Sequence, residues 1–226
     1  MKNLKIIFED NHIIVVEKQP NIPSQSDKTG DEDMLTLVKE YIKEKYNKPG
    51  NVYLGLVHRL DRPVGGVMVF ARTSKAASRL SEQVRQKIFK KKYLAVVDGK
   101  VKNKKGTLED YLYKDERNNI SKVVSKEKKN SKLARLDYEV LTYNEVKDLS
   151  LLEINLHTGR HHQIRVQLSN FGHSIFGDQK YGTRGQGKQI ALWAYELTIE
   201  HPITKEKMVF KDLPEPVGTW CILKNF

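Results

Sequence analysis

The stretch GLVHRLDRPVGGVMVFAR, residues 55 to 72, sets one carboxylate, Asp61, between Arg59 and Arg62, with apolar runs on either side. A carboxylate in that setting can act as a nucleophile, as a base, or as a plain turn residue, since Asp-Arg-Pro is itself a good turn signal. At the mouth of two buried strands it would be desolvated, which raises a carboxyl pKa unless a cation holds the charge. The candidate cations are Arg59, Arg62 and an arginine of TGRHHQIRV. Four histidines, His157, His161, His162 and His173, raise a second chemistry, metal ligation. The turn at Thr158 and Gly159 breaks the helical register through them, and no cysteine or acid joins them, so no metal site is expected. GTRGQGKQ is glycine-rich, but it lacks a lysine-serine ending and a preceding apolar strand, and it reads as a flexible loop and not a nucleotide cradle.

These residues sit in a chain of 226 residues with 38% hydrophobic and 30% charged content, long enough to bury one sizeable core. A single globular unit spanning 1–226 is expected. The one cysteine, Cys221, excludes an internal disulfide framework and suits a reducing compartment. No apolar run approaches the ~20 residues of a membrane span, and Glu9 and Asp10 arrive before any signal-like segment forms. A cytoplasmic protein without a membrane partner is the expectation.

Forty Lys and Arg against 28 Asp and Glu leave a formal charge of +12, a field that favours polyanions. Charge alone does not choose among RNA, DNA and anionic lipid, but its placement is uneven. Residues 85–105, including Lys90, Lys91 and Lys92, are basic against the one acid Asp98, and RNNISKVVSKEKKNSKLAR is basic against Glu127. Both read as arms that track phosphates. No recognition helix with polar base-reading positions is visible, which argues against a DNA-binding module.

The elements that must position Asp61 follow from periodicity. LKIIFEDNHIIVVEKQ predicts a hairpin about the turn EDN, and PNIPSQSDKTGDEDM a loop. DEDMLTLVKEYIKEKY repeats apolar residues at helical steps until Pro49 and Gly50 stop it. The HRLD segment reads as a strand, a charged knot and a second strand. TSKAASRLSEQVRQKIF predicts a helix with Ala76, Ala77, Leu80, Val84 and Ile88 on one face, capped by Thr73 or Ser74. Period-two alternation then marks KKKYLAVVDGKV, ARLDYEVLTYN and LSLLEINLHTG as strands. RHHQIRVQLSNFG reads as a helix closed by Gly172, and IALWAYELTIEHPITKEKMVFKDLP as two final strands. Strands outnumber helices without a βαβ repeat, so the fold class is α+β, a mixed, mostly antiparallel central sheet flanked by helices and loops.

HRLDRPVGGVMVFAR resembles the signature of the RluA family of pseudouridine synthases. KKKYLAVVDG and LHTGRHHQIRVQLSNFGHSIFGDQKYG resemble two further family motifs in the correct order, and LWAYELTIEHPITKE its C-terminal strand pair. The resemblance implies the pseudouridine synthase fold and an isomerase that converts uridine in structured RNA, rRNA or tRNA, to pseudouridine without any cofactor. It implies Asp61 as the catalytic carboxylate, Tyr93 as the aromatic that stacks on the target base, and Arg165 as the partner of the aspartate. Arg59, with His58 beside it, resembles the arginine that enters the base stack when the nucleotide is extruded. Arg62, Arg160, His161 and Lys90 to Lys92 are expected to meet phosphate or substrate. The alternative is a non-catalytic RNA-binding or RNA-folding protein on the same scaffold; the presence of Asp61, Tyr93 and Arg165 together favours the enzyme.

Two departures from the family pattern stand out. Pro63-Val64-Gly65-Gly66 follows the aspartate where the family commonly has Thr-Ser-Gly, and Gln167 replaces a histidine that often follows HQIRV. No separate N-terminal RNA-binding domain is expected ahead of LKIIFEDN, so affinity should come from the catalytic domain and its basic arms. A monomer with no obligate protein partner is the expectation.

Overall fold

The structure, a computed structural model, describes residues 4–225. It has the expected α+β class, with a mixed, mostly antiparallel sheet and helices interspersed among strands. The chain divides into two compact units, Met1–Lys91 with Ala194–Leu213, and Lys92–Trp193 with Pro214–Phe226. Each is assembled from separate stretches of chain, so no linker in the sequence marks the division.

In the first unit β1 (Ile6–Glu9) and β2 (Ile13–Lys18) form the expected hairpin. Its turn is held by Asp10, whose carboxylate accepts from the backbone N–H of His12 and Ile13 at 2.7 Å each. Helix α1 (Met34–Lys45) starts on Asp33, whose side chain accepts from the N–H of Thr36, and buries Met34, Val38 and Ile42. It stops short of Pro49 because Asn47 takes a left-handed conformation, φ 46°. The strand expected before HRLD is only β3 (Gly55–Leu56), and β4 (Gly65–Ala71) follows the charged knot.

Helix α2 (Ser74–Arg85) is capped by Thr73, whose hydroxyl accepts from the N–H of Ala76. Val84 is exposed, contrary to its expected place on the inner face. Gln83 turns in instead and bonds both the carbonyl and the N–H of Glu200. That glutamine ties the helix to β10 (Leu192–Glu200), which neighbours β4 and pairs with β11 (Lys207–Lys211). The core packs Ile13 and Val15, Val67, Val69 and Ala71, and Leu197 and Ile199 beneath Ala76 and Leu80 of α2.

The strands of the second unit are ordered β5 (Lys90–Asp98), β9 (Leu149–Leu156), β8 (Lys132–Asn144), β6 (Lys105–Asp115), β7 (Ile120–Val124). From Tyr93 to Val97, β5 is buried on both faces. Much of the two stretches taken for basic arms is in fact strand, β5 in the first and β7 with the start of β8 in the second. β6, where no element is expected from the sequence, pairs antiparallel with both β7 and β8. The solvated faces of β6 and β7 carry the charge, which hid the period-two signal. Helix α3 (Gln163–Asn170) is buried from Gln163 to Leu168. It begins after His162, which is left-handed at φ 52°, and Gly172, at φ 88°, closes it as expected. Among the described residues no helix is long and apolar enough to cross a membrane.

Candidate active site

Asp61 opens a tight turn: the N–H of Val64 donates to its carbonyl at 2.9 Å, with Arg62 and Pro63 between them. Its side chain is half-buried, between the buried Leu60 and the exposed Arg62. The turn is held from the segment that follows β2. Ser24 is buried, and its hydroxyl donates to the Leu60 carbonyl at 2.8 Å and accepts from the Leu60 N–H at 3.1 Å. The N–H of Asn21 donates to the Arg62 carbonyl at 2.8 Å. Lys18, wholly buried at the end of β2, donates from Nζ to the carbonyls of Gln19 (3.2 Å), Arg62 (2.9 Å) and Val64 (2.6 Å). Three carbonyls meet the three N–H bonds of one ammonium, which fixes the backbone after Asp61, while Ser24 fixes Leu60 before it.

Two amines lie in the field of this carboxylate. Burial pushes Lys18 down to about 7, opposed by the charge of Asp61. Burial likewise pushes Lys91 down to about 8, again opposed by Asp61. His58 is buried under the same segment; burial, with Lys91 adding to it, holds its pKa down at about 3. Its Nε2 accepts from the N–H of Val69 at 3.1 Å, which puts the proton on Nδ1, a buried nitrogen with no partner among the described residues. Its ring packs 5.0 Å from Phe89. Arg59 is exposed. Arg62 leans on the loop before α1, pairing with Asp31 and donating to the Thr29 hydroxyl at 3.1 Å. Lys90 is exposed, whereas Lys92 pairs with Glu153 at 2.9 Å.

In the second unit, Tyr93 is a buried residue of β5. Arg165, on the buried face of α3, donates from Nε and Nη2 to the two oxygens of Asp178 at 2.8 and 2.7 Å, and its guanidinium lies 5.2 Å from the centre of the Tyr181 ring. The Tyr181 hydroxyl accepts from the N–H of Ser121 at 2.7 Å and shares a hydrogen bond with Nδ1 of His162 at 2.8 Å. Burial and the nearby Arg165 push His162 down to about 2, so it stays neutral. His161 stacks on it, with ring centres 3.7 Å apart, and bonds the Ser121 hydroxyl. Arg160 donates from Nε to the Leu133 carbonyl at 2.9 Å.

The glutamines of α3 complete the seating. Gln163 accepts from the Thr158 hydroxyl and the Arg160 N–H, and donates to the Arg135 carbonyl. Gln167 donates to the Asp110 carboxylate at 2.7 Å, so the residue that departs from the family histidine holds β6 against the helix. The remaining histidines are spent locally, His157 on Asp137 at 2.5 Å and His173 on the Asp98 carbonyl at 2.8 Å. Among the described residues no group of three or more His, Cys, Asp or Glu could hold a metal ion.

A family model described as RNA pseudouridylate synthase matches residues 12–170. The chain belongs to the RluA-type RNA pseudouridine synthases. It is 34% identical over 226 residues to an uncharacterized RNA pseudouridine synthase, YhcT, of Bacillus subtilis, covering 99% of this chain and 72% of that one. It is 31% identical over 229 residues to the ribosomal large subunit pseudouridine synthase D of Nitrosomonas europaea, covering 95% of this chain and 63% of that one. The fold is similar to that of human RNA pseudouridylate synthase domain containing 1, with a TM-score of 0.76 at 23% identity, covering 95% of this chain and 84% of that one.

This pseudouridine synthase is therefore an isomerase that moves the uracil of an RNA uridine from a nitrogen to a carbon linkage. The sequence reading missed the residues that seat the Asp61 turn of the synthase. Asn21 and Ser24 lie in a segment read only as loop, and Lys18, within the predicted hairpin, carries no expected role. The one signal is a lysine closing a strand that begins with four apolar residues, IIVVEK.

Proposed function

We propose that this synthase modifies uridine in rRNA or tRNA and that Asp61 is its catalytic carboxylate, with Tyr93 and Arg165 as its companions. The observation that carries the assignment is the seating of Asp61. Its neighbours in the turn are fixed by buried hydrogen bonds from Lys18, Asn21 and Ser24, while the carboxylate itself is half-buried in the field of two amines. A group held that way is pre-organised for attack or proton removal, and reorients little during the reaction.

The chemistry needs a carboxylate that attacks the sugar or helps remove its 2′ proton while the uracil leaves, turns and rejoins through C5. Tyr93 offers an aromatic plane to the detached base, and stacking of that kind is worth roughly 1 to 3 kcal/mol. A paired uridine must first be extruded, at a cost of a few kcal/mol. Arg59 is exposed beside the turn and suits the space the nucleotide leaves; His58 beneath it supports the segment. The exposed lysines Lys90, Lys126, Lys128 and Lys129 supply phosphate contacts, as do the exposed Arg62 and Arg160, whereas Lys91, Lys92 and His161 are partly buried and contribute less. The activity is cytoplasmic, like the RNA pools it would draw on.

The test is tritium release from RNA labelled at C5 of uridine, run on separate rRNA and tRNA pools. Release from one pool, matched to a uridine that loses modification when the gene is deleted, identifies the substrate. No release from either pool removes the substrate class proposed here.

A further inference from the structure

The ion pair between Arg165 and Asp178 is among the most enclosed of those described, with side chains 4% and 0% exposed. Every hydrogen bond of the Asp178 carboxylate points inward. Oδ2 accepts from Nε of Arg165, and Oδ1 accepts from Nη2 and from the backbone N–H of Lys180 (2.9 Å) and Tyr181 (3.2 Å). The backbone of the same residue is tied on both sides, its N–H to the Ile175 carbonyl and its carbonyl to the N–H of Gly182. The guanidinium is thus gripped along one edge by a fork and across one face by the Tyr181 ring, which Ser121 and His162 hold by its hydroxyl. A planar ion held at an edge and a face has no rotational freedom left.

We propose that Asp178 is a positioning residue for Arg165: it consumes the Nε and Nη2 edge and so fixes which edge of the guanidinium, that of Nη1, is presented to the reaction. The inference rests on the reading that Arg165 takes part in the isomerisation. It changes what Arg165 contributes. With a buried carboxylate already neutralising it, the guanidinium serves as a directed hydrogen-bond donor more than as a bare charge.

The alternative is that Asp178 only fastens the 175–182 loop to α3, and steady-state kinetics separate the two. Asp178→Asn keeps an oxygen for the N–H groups of Lys180 and Tyr181 but loses half of the fork. It is expected to lower kcat about 100-fold, the cost of a small misplacement, with KM for RNA changed by less than about threefold. In an Arg165→Lys background, which has no fork to lose, Asp178→Asn is expected to change kcat by less than about threefold. Because a lone buried guanidinium destabilises the fold, Asp178→Glu is the second variant. It keeps the charge, shifts the fork by one methylene, and is expected to show the same kcat loss in a protein that still melts cooperatively.

Wild-type kcat in either single variant, while Arg165→Met is inactive, would overturn the positioning role and leave the reading of Arg165 intact. Equal losses from Asp178→Asn in both backgrounds would likewise overturn it. Wild-type turnover in Arg165→Met would remove the reading and the inference together.

Discussion

Lys18 Nζ lies 2.6 Å from the carbonyl oxygen of Val64, a contact that crosses 46 residues of sequence to fasten the far side of the Asp61 turn. The same amine holds the Arg62 carbonyl, and the residue that the turn presents between these anchors and Leu60 is the carboxylate. A fully buried lysine is costly unless its donors are satisfied, and here the satisfaction is supplied by the backbone of the site itself.

Lys18→Met therefore leaves the buried Val64 carbonyl without its lysine donor, while the Arg62 carbonyl keeps the Asn21 N–H and that of the exposed Gln19 can turn to water. Stability should fall by about 1 to 3 kcal/mol, the cost of one orphaned buried group. Denaturant unfolding checks this. The fraction that stays folded should lose turnover more than RNA affinity.

The same lysine gives the fold a pH dependence of known sign. Lys18 titrates near 7 in the folded protein and near 10.4 in an unfolded chain. Between those values the unfolded state binds more protons, so stability rises with pH, by up to about 1.4 kcal/mol per unit. Below about 7 both states are protonated and the slope vanishes. Lys91, near 8, adds a second contribution over a narrower window. Unfolding free energies measured from pH 6 to pH 9.5 should climb in the wild type and climb less in Lys18→Met.

Gly66, which follows the stretch where the family's hydroxyl pair is missing, is required by close packing of the backbone. Gly66 sits at φ 123°, and a Cβ there would come within 2.7 Å of the Ala194 carbonyl carbon and nitrogen, so β4 approaches β10 too closely for any side chain. Gly66→Ala should cost about 3 kcal/mol or more, overpacking and backbone strain combined. Gly172, also left-handed at φ 88°, meets nothing within 4 Å, and Gly172→Ala should cost only about 1 to 2 kcal/mol. Thermal melts of the two variants measure the contrast.

Much of this architecture was legible in the residues. The strands rich in Ile, Val and Leu, such as β2 and β9, and the helices with capping side chains, Thr73 above all, announced themselves through residue type and spacing. β6 and β7 did not, because their exposed faces are so rich in Lys, Arg, Asp and Glu that alternation with Leu108, Tyr111 and Leu112 is blurred. The candidate catalytic residues emerged from motif resemblance, but their supports did not. Ser24 and Lys18 bond across the chain to backbone atoms, and backbone partners leave no trace in side-chain types. Nor does Asp178 signal its fork with Arg165, since twelve intervening residues, among them a left-handed Gly172, must fold before the two meet.

RNA affinity is expected to follow the exposed lysines. Neutralising Lys126, Lys128 and Lys129, all exposed between β7 and β8, should weaken binding of structured RNA and flatten the plot of log affinity against log salt by about 0.7 to 0.9 per charge in contact. Lys92, already paired with Glu153, should contribute less to that slope. Filter binding at several salt concentrations distinguishes them.

The central claim, that Asp61 does the chemistry, is tested most directly by Asp61→Asn under single-turnover conditions with C5-tritiated RNA, enzyme in excess, and RNA binding measured on the same samples. The substitution removes the charge and keeps the shape. Tritium release is expected to fall at least about a thousandfold while RNA affinity stays within about threefold. Release at the wild-type rate from the bound substituted protein would contradict the account.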